Sequence, residues 1–264
     1  MDHLSLINAE TDRFIAAIRQ ADAAARVPTC PDWNADDLLW HFTQVHANWA
    51  AILRTGALSD EDAEAVEGAL PERPDDRETT IALLIDETAA LVAELAARDD
   101  EQPAWTWFPT DQTVGFTRRM QVHEATMHRV DAELTAGLAS APIDAEVAAD
   151  GVAHGIEVML AWWGTNPGFA LHPVAGAVRL HASDTGQQWL VQGGRWRGVG
   201  QSGKEYDEPG LVFIEADAAE PAASLTGTAE ELDRWLWGRG PEPTASGDTD
   251  SLDAVRAGRA AGMQ

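Results

Sequence analysis

Three side chains of the kinds that bind divalent metals occur in this chain in segments of helical pattern. Glu124 and His128 are four residues apart within RRMQVHEATMHRVD (118–131), and His41 lies in another helical segment. A spacing of four residues places two side chains on one face of a helix. Two imidazoles and one carboxylate leave positions open for water or substrate, as in catalytic rather than structural zinc sites. Nickel also fits these donors, and a thiol substrate would favour zinc.

Structural interpretations of these residues stay open. A Glu–His pair at this spacing is often a surface contact, and His41 alone could be an ordinary buried histidine of a helical bundle. His46 lies about 140° around a helix from His41, and His123 about 100° from Glu124. We therefore assign His46 and His123 structural roles.

Composition excludes several classes of function. The chain has 44 acidic and 18 basic side chains, a net charge of −26. Such a surface repels nucleic acid and anionic membranes. The lone Cys30 rules out an intramolecular disulfide framework and is predicted to be a packing residue rather than a nucleophile. The amino terminus lacks the features of a signal peptide, and no apolar run approaches the roughly 18 residues of a membrane span. We therefore expect a cytoplasmic protein without a membrane or nucleic-acid partner.

The elements that must position these residues are predicted to be four helices within residues 1–140. Their apolar stripes cover residues 7–18, 38–52, 81–95 and roughly 116–136. In the second helix, Asn34 caps the start, Asp37 follows three residues on, and Gly56 marks the end. Gly137 is a plausible end of the fourth helix. In helical bundles, metal sites form from side chains that face inward.

The pattern changes after Ala139, and residues 141–264 are predicted to form a linking helix followed by a smaller α+β domain. The linking helix covers residues 144–163, and predicted strands cover 177–183, 187–192, 195–199, 211–216 and 224–226. Turns are expected at residues 184–186 and at Gly193–Gly194. Thr228 and Glu231 resemble a capping box that opens a helix ending at Gly238, and residues 251–261 form a last helix.

Three motifs resemble signatures of the mycothiol-dependent maleylpyruvate isomerase family. They are VPTCPDWN (27–34) with DLLWHF (37–42), HEATMHRVDAE (123–133) and WLWGR (235–239). The resemblance spans nearly the whole chain. It implies a DinB-like four-helix metal-binding bundle followed by a smaller α+β domain similar to sterol-carrier folds.

The resemblance also implies roles for particular residues. His41, Glu124 and His128 would hold the metal. Asp131 would orient an imidazole from outside the ligand set, although a solvated or capping carboxylate is the alternative. Arg239 matches an arginine implicated in the isomerase, where a guanidinium can grip a substrate carboxylate; a charge at a helix end is the alternative.

The implied activity is a metal-dependent isomerase or S-transferase that uses a mycothiol-like thiol as cosubstrate and a small electrophile as substrate. A metal-bound thiol loses its proton near neutral pH. The ligands alone also permit a hydrolase that uses metal-bound water. A non-catalytic carrier of a small hydrophobic molecule is a third possibility. The protein would be a monomer or a homodimer.

One segment departs from what an isomerase of a dicarboxylate would need. Residues 57–78 contain nine acidic side chains: Asp60, Glu61, Asp62, Glu64, Glu67, Glu72, Asp75, Asp76 and the final Glu78. If this segment borders the mouth of the bundle, its charge would disfavour a dianion such as maleylpyruvate.

Overall fold

The computed structural model describes residues 1–200 and 202–262. The chain forms two compact units, Met1–Ala141 and Pro142–Gln264. No helix in the described part of the chain is both long enough and apolar enough to cross a membrane.

The first unit is mostly helical. Its elements are α1 (His3–Ile18), β1 (Arg26–Val27), β2 (Cys30–Asn34), α2 (Ala35–Thr55), α3 (Asp60–Glu67), α4 (Arg77–Ala96) and α5 (Val114–Thr135). Helix α1 packs on α5 and α4, while α2 packs on α4 and α5. The two short strands pair antiparallel just before α2. Four long helices therefore share one core, and the sequence did not indicate the small hairpin that precedes α2.

Local signals in the sequence explain where the helices that carry the candidate ligands start and stop. Asn34 and Asp37 form a reciprocal capping box at the start of α2, as predicted. Gly56 and Gly137, after the ends of α2 and α5, have φ values of 68° and 70°. A side chain at either position would strain this left-handed backbone.

Apolar packing fixes α2 against its neighbours. The rings of Phe14 on α1 and Phe42 on α2 lie 4.7 Å apart, and both residues are fully buried. The surrounding core includes Ile18, Leu38, Leu39, Ile81, Leu84 and Ala125. Because Phe42 follows His41 directly, this packing sets the orientation of the helix that carries the first candidate ligand.

A buried ion cluster fixes α5 against α1. Arg129, with no exposed surface, donates to Glu10 Oε2 on α1 at 2.6 Å and to Glu133 Oε2 at 2.8 Å. Its Nη1 also donates to the carbonyl of Ala141 at 2.7 Å. A buried guanidinium is tolerated only when it is paired in this way, so the cluster ties α5 to the first helix and to the end of the unit.

The second unit combines helices with a five-stranded sheet. Its elements are α6 (Ala145–His154), a π-helical segment (Gly155–Met159), a 3₁₀ turn (Trp162–Thr165), β3 (Ala170–Ala182), β4 (Gln188–Val199), β5 (Glu205–Ile214), β6 (Ala223–Gly227), α7 (Ala229–Leu236), β7 (Thr244–Gly247) and α8 (Thr249–Gly262). The strand order is β5-β4-β3-β6-β7, with only the β3–β6 pair parallel. Helix α8 packs on β3, β4 and β5.

One predicted hairpin turn is wrong. Gly193 and Gly194 lie inside the single strand β4, which runs through both segments that the sequence suggested were separate strands. A Cβ atom on Gly193 would lie 2.8 Å from Cβ of Ala254 on α8. The glycine is therefore there to let the helix approach the sheet, and not to turn the chain. Strand β7 also went unpredicted, whereas the capping box of Thr228 and Glu231 is present at α7.

Candidate metal centre

The predicted ligands come together inside the first unit. His41 lies on α2, and its ring centroid is 5.0 Å from that of His128 on α5, with the planes 78° apart. His128 Nε2 lies 3.3 Å from Glu124 Oε2. The His128 side chain is 8% exposed and that of Glu124 is 21% exposed. The three side chains thus meet at one place that is largely shielded from water, with Glu124 on its more open side.

Asp131 holds the far side of the His128 ring. Its Oδ2 is 3.3 Å from His128 Nδ1, and its Oδ1 accepts a hydrogen bond of 2.6 Å from the hydroxyl of Thr29. Asp131 is fully buried. A carboxylate on Nδ1 keeps the proton there and leaves the lone pair on Nε2, which is the usual arrangement behind a metal-binding histidine.

Electrostatics in this cluster favour positive charge at His128. Burial alone lowers the pKa of His128, but the contacts with Asp131 and Glu124 outweigh burial and raise the pKa to about 9. The two carboxylates therefore make this position one where a cation is stabilised.

The donor set and one distance fit a divalent metal. Among residues 1–200 and 202–262, His128 Nε2 is buried with no hydrogen-bond partner, although it lies against the Glu124 carboxylate. Two donors bound to one tetrahedral zinc at about 2.0–2.1 Å are about 3.3 Å apart, which matches this pair. No three His, Cys, Asp or Glu side chains of the same described residues already stand in full coordinating geometry. A metal bound by all three side chains would thus require these side chains to adjust their positions.

Two residues of the first motif act on the candidate ligands in ways that sequence reasoning missed. Thr29 supports Asp131, and the Trp33 ring packs on the His41 ring with centroids 4.7 Å apart. Both residues lie beside β1–β2, the hairpin that the sequence did not predict. The signal in the sequence was that both belong to the motif VPTCPDWN (27–34), which also contains the Asn34 cap.

His46 and His123 are both buried, and His46 lies close enough to His128 and Glu124 to interact with their charges. His46 is fully buried, and its Nδ1 is 2.8 Å from the hydroxyl of Thr88 on α4. Burial lowers the pKa of His46 to about 3, and the nearby His128 acts in the same direction. His123 is 1% exposed. Cys30 is half-buried at the start of β2.

A cavity of about 740 Å³ opens next to His41. One side is the acidic helix α3, which contributes Asp60, Glu64 and Glu67. The other side includes Trp49 and Trp105, whose rings stack 5.9 Å apart and 25° from parallel. Trp105 Nε1 donates to Asp60 Oδ1 at 2.8 Å, which ties the indole wall to the acidic helix.

The cavity beside His41 is lined by acidic side chains without basic ones. Among the residues that the structure describes, no Lys or Arg lines it. The acidic segment seen in the sequence thus borders a cavity that His41 also lines, and a dianionic ligand would meet three carboxylates there.

Arg239 belongs to the second unit. It follows α7, is 8% exposed, and donates to the carbonyl of Trp237. Arg234 in turn donates to the carbonyl of Arg239 at 3.1 Å. The guanidinium is thus held by the chain around it rather than extended into solvent.

Two histidines and a glutamate that approach one another from neighbouring helices define a class of helical domain with a candidate metal site. Comparisons with known proteins identify the family. The profile of the mycothiol maleylpyruvate isomerase N-terminal domain matches residues 4–133. The profile of the MDMPI C-terminal domain matches residues 146–256. The chain belongs to the mycothiol-dependent maleylpyruvate isomerase family.

Solved structures agree with this assignment at the level of the fold. A crystal structure of a mycothiol-dependent maleylpyruvate isomerase superimposes with a TM-score of 0.60. A histidine-to-alanine mutant of such an enzyme superimposes with a TM-score of 0.61. In both cases the sequence identity is 13%, and the match covers 95% of this chain and 94% of the other. No curated protein sequence matched the chain.

Proposed function

We propose that the protein is a metal-dependent enzyme that activates a low-molecular-weight, mycothiol-like thiol for reaction with a small electrophile. Family membership supports the use of a thiol. The meeting of His41, Glu124 and His128, with His128 Nε2 3.3 Å from Glu124 Oε2, is the observation that carries the metal site. We propose zinc as the metal, with nickel as the alternative.

Different residues of the chain would have different roles in such a site. When bound, a divalent metal stabilises the deprotonated form of a thiol near neutral pH. Asp131 holds the Nδ1 proton of His128 and so directs the Nε2 lone pair inward. Trp33 restricts the His41 ring by packing on it. Glu124, which is more exposed than His128, contributes negative charge that offsets part of the charge of the ion.

Two outcomes of the reaction remain open. If the thiolate adds to a conjugated double bond and is later expelled, rotation about the intervening single bond gives an isomer. If the thiolate stays attached, the reaction is an S-transfer. The acidic wall of the cavity beside His41 argues against a dicarboxylate as the electrophile.

The remaining assignments extend this proposal. The first unit would be the DinB-like four-helix bundle that binds the metal, and the second the α+β domain, similar to sterol-carrier folds. Arg239 would bind a substrate carboxylate through its guanidinium. We expect a cytoplasmic monomer or homodimer. Arg239→Lys keeps the charge but loses the planar fork, so it should raise KM more than it lowers kcat.

Metal content tests the ligand set directly. Elemental analysis of the purified protein should give about one zinc or nickel ion per chain, because three donors hold a divalent ion well. His41→Ala, Glu124→Ala and His128→Ala should each lose the metal. His46→Ala and His123→Ala are matched controls that should keep it.

Three results would change the assignment. Full occupancy in His128→Ala would mean that the ligands lie elsewhere. Loss of metal in either control would mean that the wrong histidines were chosen. If the metal is present but an ester or amide is turned over without any thiol, the same site acts as a hydrolase.

A further inference from the structure

The face of α5 that carries Glu124 and His128 also carries two further polar side chains, Thr117 and Gln121. Positions 117, 121, 124 and 128 fall within an arc of about 60° on an α-helix. Thr117 and Gln121 are each fully buried. The four residues therefore form one polar stripe, which starts at the candidate metal ligands and runs toward the amino end of the helix.

The side-chain polar atoms of Thr117 and Gln121 are buried without a partner in the described residues. Over residues 1–200 and 202–262, no hydrogen-bond partner exists for Gln121 Nε2, Gln121 Oε1 or Thr117 Oγ1, and all three atoms are buried. Leaving a buried carboxamide without any partner costs free energy that native proteins seldom accept. Other buried hydroxyls of α5, such as those of Thr126 and Thr135, donate to carbonyls one turn back, at 2.7 Å in each case. Thr117 thus differs from the two other threonines of its own helix.

We propose that Gln121 and Thr117 form a binding subsite for a neutral group of the ligand that is held at the Glu124–His128 end of the stripe. This inference rests on the proposed function for the position of that ligand. A carboxamide offers both a donor and an acceptor, and so does a hydroxyl. Their natural partner is an uncharged group with the same double capacity, namely a hydroxyl or a carboxamide.

Helix geometry sets the reach of this subsite. Gln121 is one turn from Glu124, and Thr117 is seven residues, or about 10 Å, from it. A ligand with its reactive atom beside Glu124 would place a hydroxyl two or three bonds away beside Gln121. Only a longer ligand would reach Thr117. The subsite therefore selects ligands by the presence and position of a neutral polar group.

The first arm of the test measures stability and needs no metal. In Gln121→Leu, an apolar side chain of similar size replaces a carboxamide that has no protein partner, so the Tm of the metal-free protein should stay the same or rise. Gln112→Leu is the matched control, because Gln112 Nε2 donates to the carbonyls of Thr106 and Phe108 at 2.7 and 3.0 Å. Its Tm should fall. A similar fall in Gln121→Leu would show a structural glutamine and overturn the proposal.

The second arm measures ligand binding to the cobalt-substituted protein through the sulfur-to-cobalt absorption band. Two thiols are compared, 3-mercapto-1,2-propanediol, which has hydroxyls, and 1-propanethiol, which has none. Gln121→Leu should weaken binding of the first about 10-fold, equivalent to about 1.4 kcal/mol, and leave the second unchanged. Thr117→Val, which keeps the shape and removes the hydroxyl, should leave the binding of both thiols unchanged, because neither is long enough to reach Thr117.

The two arms separate this inference from the function on which it rests. Equal changes for both thiols in Gln121→Leu, or no change for either, would overturn the subsite even if cobalt and thiols bind well. Failure of the wild-type protein to bind any divalent metal would overturn the proposed function instead. In that case the comparison of Tm between Gln121→Leu and Gln112→Leu still decides whether the Gln121 carboxamide serves the fold.

Discussion

Asp131→Asn is the most informative single change in the candidate metal centre. The Asp131 carboxylate accepts a hydrogen bond from Thr29 and lies against His128 Nδ1. Asparagine has the same shape but carries one acceptor oxygen and no charge. If its oxygen accepts from His128 Nδ1, its NH2 group faces Thr29, whose hydroxyl must then accept instead of donate. The negative charge that favours a proton on Nδ1, with the Nε2 lone pair pointing inward, is lost. We therefore expect weaker metal binding in a protein that still folds.

The expected loss of metal affinity follows from what similar carboxylates contribute in other metal-binding proteins. Removing the group that orients a metal-binding histidine typically costs 10- to 100-fold in metal affinity, or about 1.4–2.8 kcal/mol. Asp131 is fully buried, so solvent screening will not reduce the effect. Thr29→Val is the graded control, because it removes one hydrogen bond and leaves the carboxylate in place. Its loss should be smaller than that of Asp131→Asn.

Competition against a chromophoric chelator gives the dissociation constant of zinc for the wild-type protein and both variants. The Tm of each metal-free protein, measured in parallel, separates a local effect from loss of the fold. A wild-type dissociation constant in Asp131→Asn, at unchanged Tm, would refute the argument. It would mean that His128 does not bind the metal through Nε2, or does not bind it at all.

Three further predictions concern charge and stability. Arg129→Ala leaves the buried Glu133 without its cation and leaves Glu10 with only the half-exposed Arg13, so it should lower the free energy of unfolding by about 3–5 kcal/mol. Arg13→Ala removes only that half-exposed partner of Glu10 and should cost less than about 1 kcal/mol; urea denaturation measures both, and equal losses would contradict the buried-cluster account. Burial, with repulsion from neighbouring acidic groups, raises the pKa of Asp233 well above its usual value. The protein's stability should therefore fall as pH rises above about 4 and through that raised pKa. Asp233→Asn should remove this fall, and its Tm at pH 8 should be higher than that of the wild type by about 2–4 °C for each kcal/mol of stability regained. A lower Tm at pH 8 would contradict this account of Asp233. The preference for cysteamine over mercaptoacetate is measured as the ratio of their affinities for the cobalt-substituted protein. Replacing Glu64 and Glu67 by Gln should reduce this ratio by about 1.5- to 5-fold for each charge removed. An unchanged ratio at low salt would mean that the cavity does not hold the thiol.

Local rules were enough to predict the helices of the first unit. The stripes that identify α1, α2, α4 and α5 have a period that only a helix satisfies. The Asn34–Asp37 capping box sets the start of α2 through contacts between residues three apart. Spacing alone also placed Glu124 and His128 on one face of α5. The meeting of His41 with them depends on how α2 packs against α5, and only the family resemblance indicated that pairing.

Features that depend on distant contacts escaped prediction. Thr29 matters because it lies next to Asp131, 102 residues further along the chain. Gly193 and Gly194 have the appearance of a turn in sequence, but the approach of α8 to β4 explains the first of them. Gln121 was passed over because nothing in its neighbours shows that its carboxamide is buried without a partner. In each case the deciding contact was long-range.

The ion cluster around Arg129 has a consequence for how the protein is made. Glu10 and Arg129 are 119 residues apart, so at about 5–20 residues per second a ribosome needs about 6–24 s to synthesise the stretch between them. During that interval α1 is without α5, one of the helices against which it packs. The part of α1 that α5 covers stays exposed and available to chaperones or to other nascent chains. Rare codons or pauses ahead of residue 129 should therefore lower the yield of folded protein without any change in its sequence.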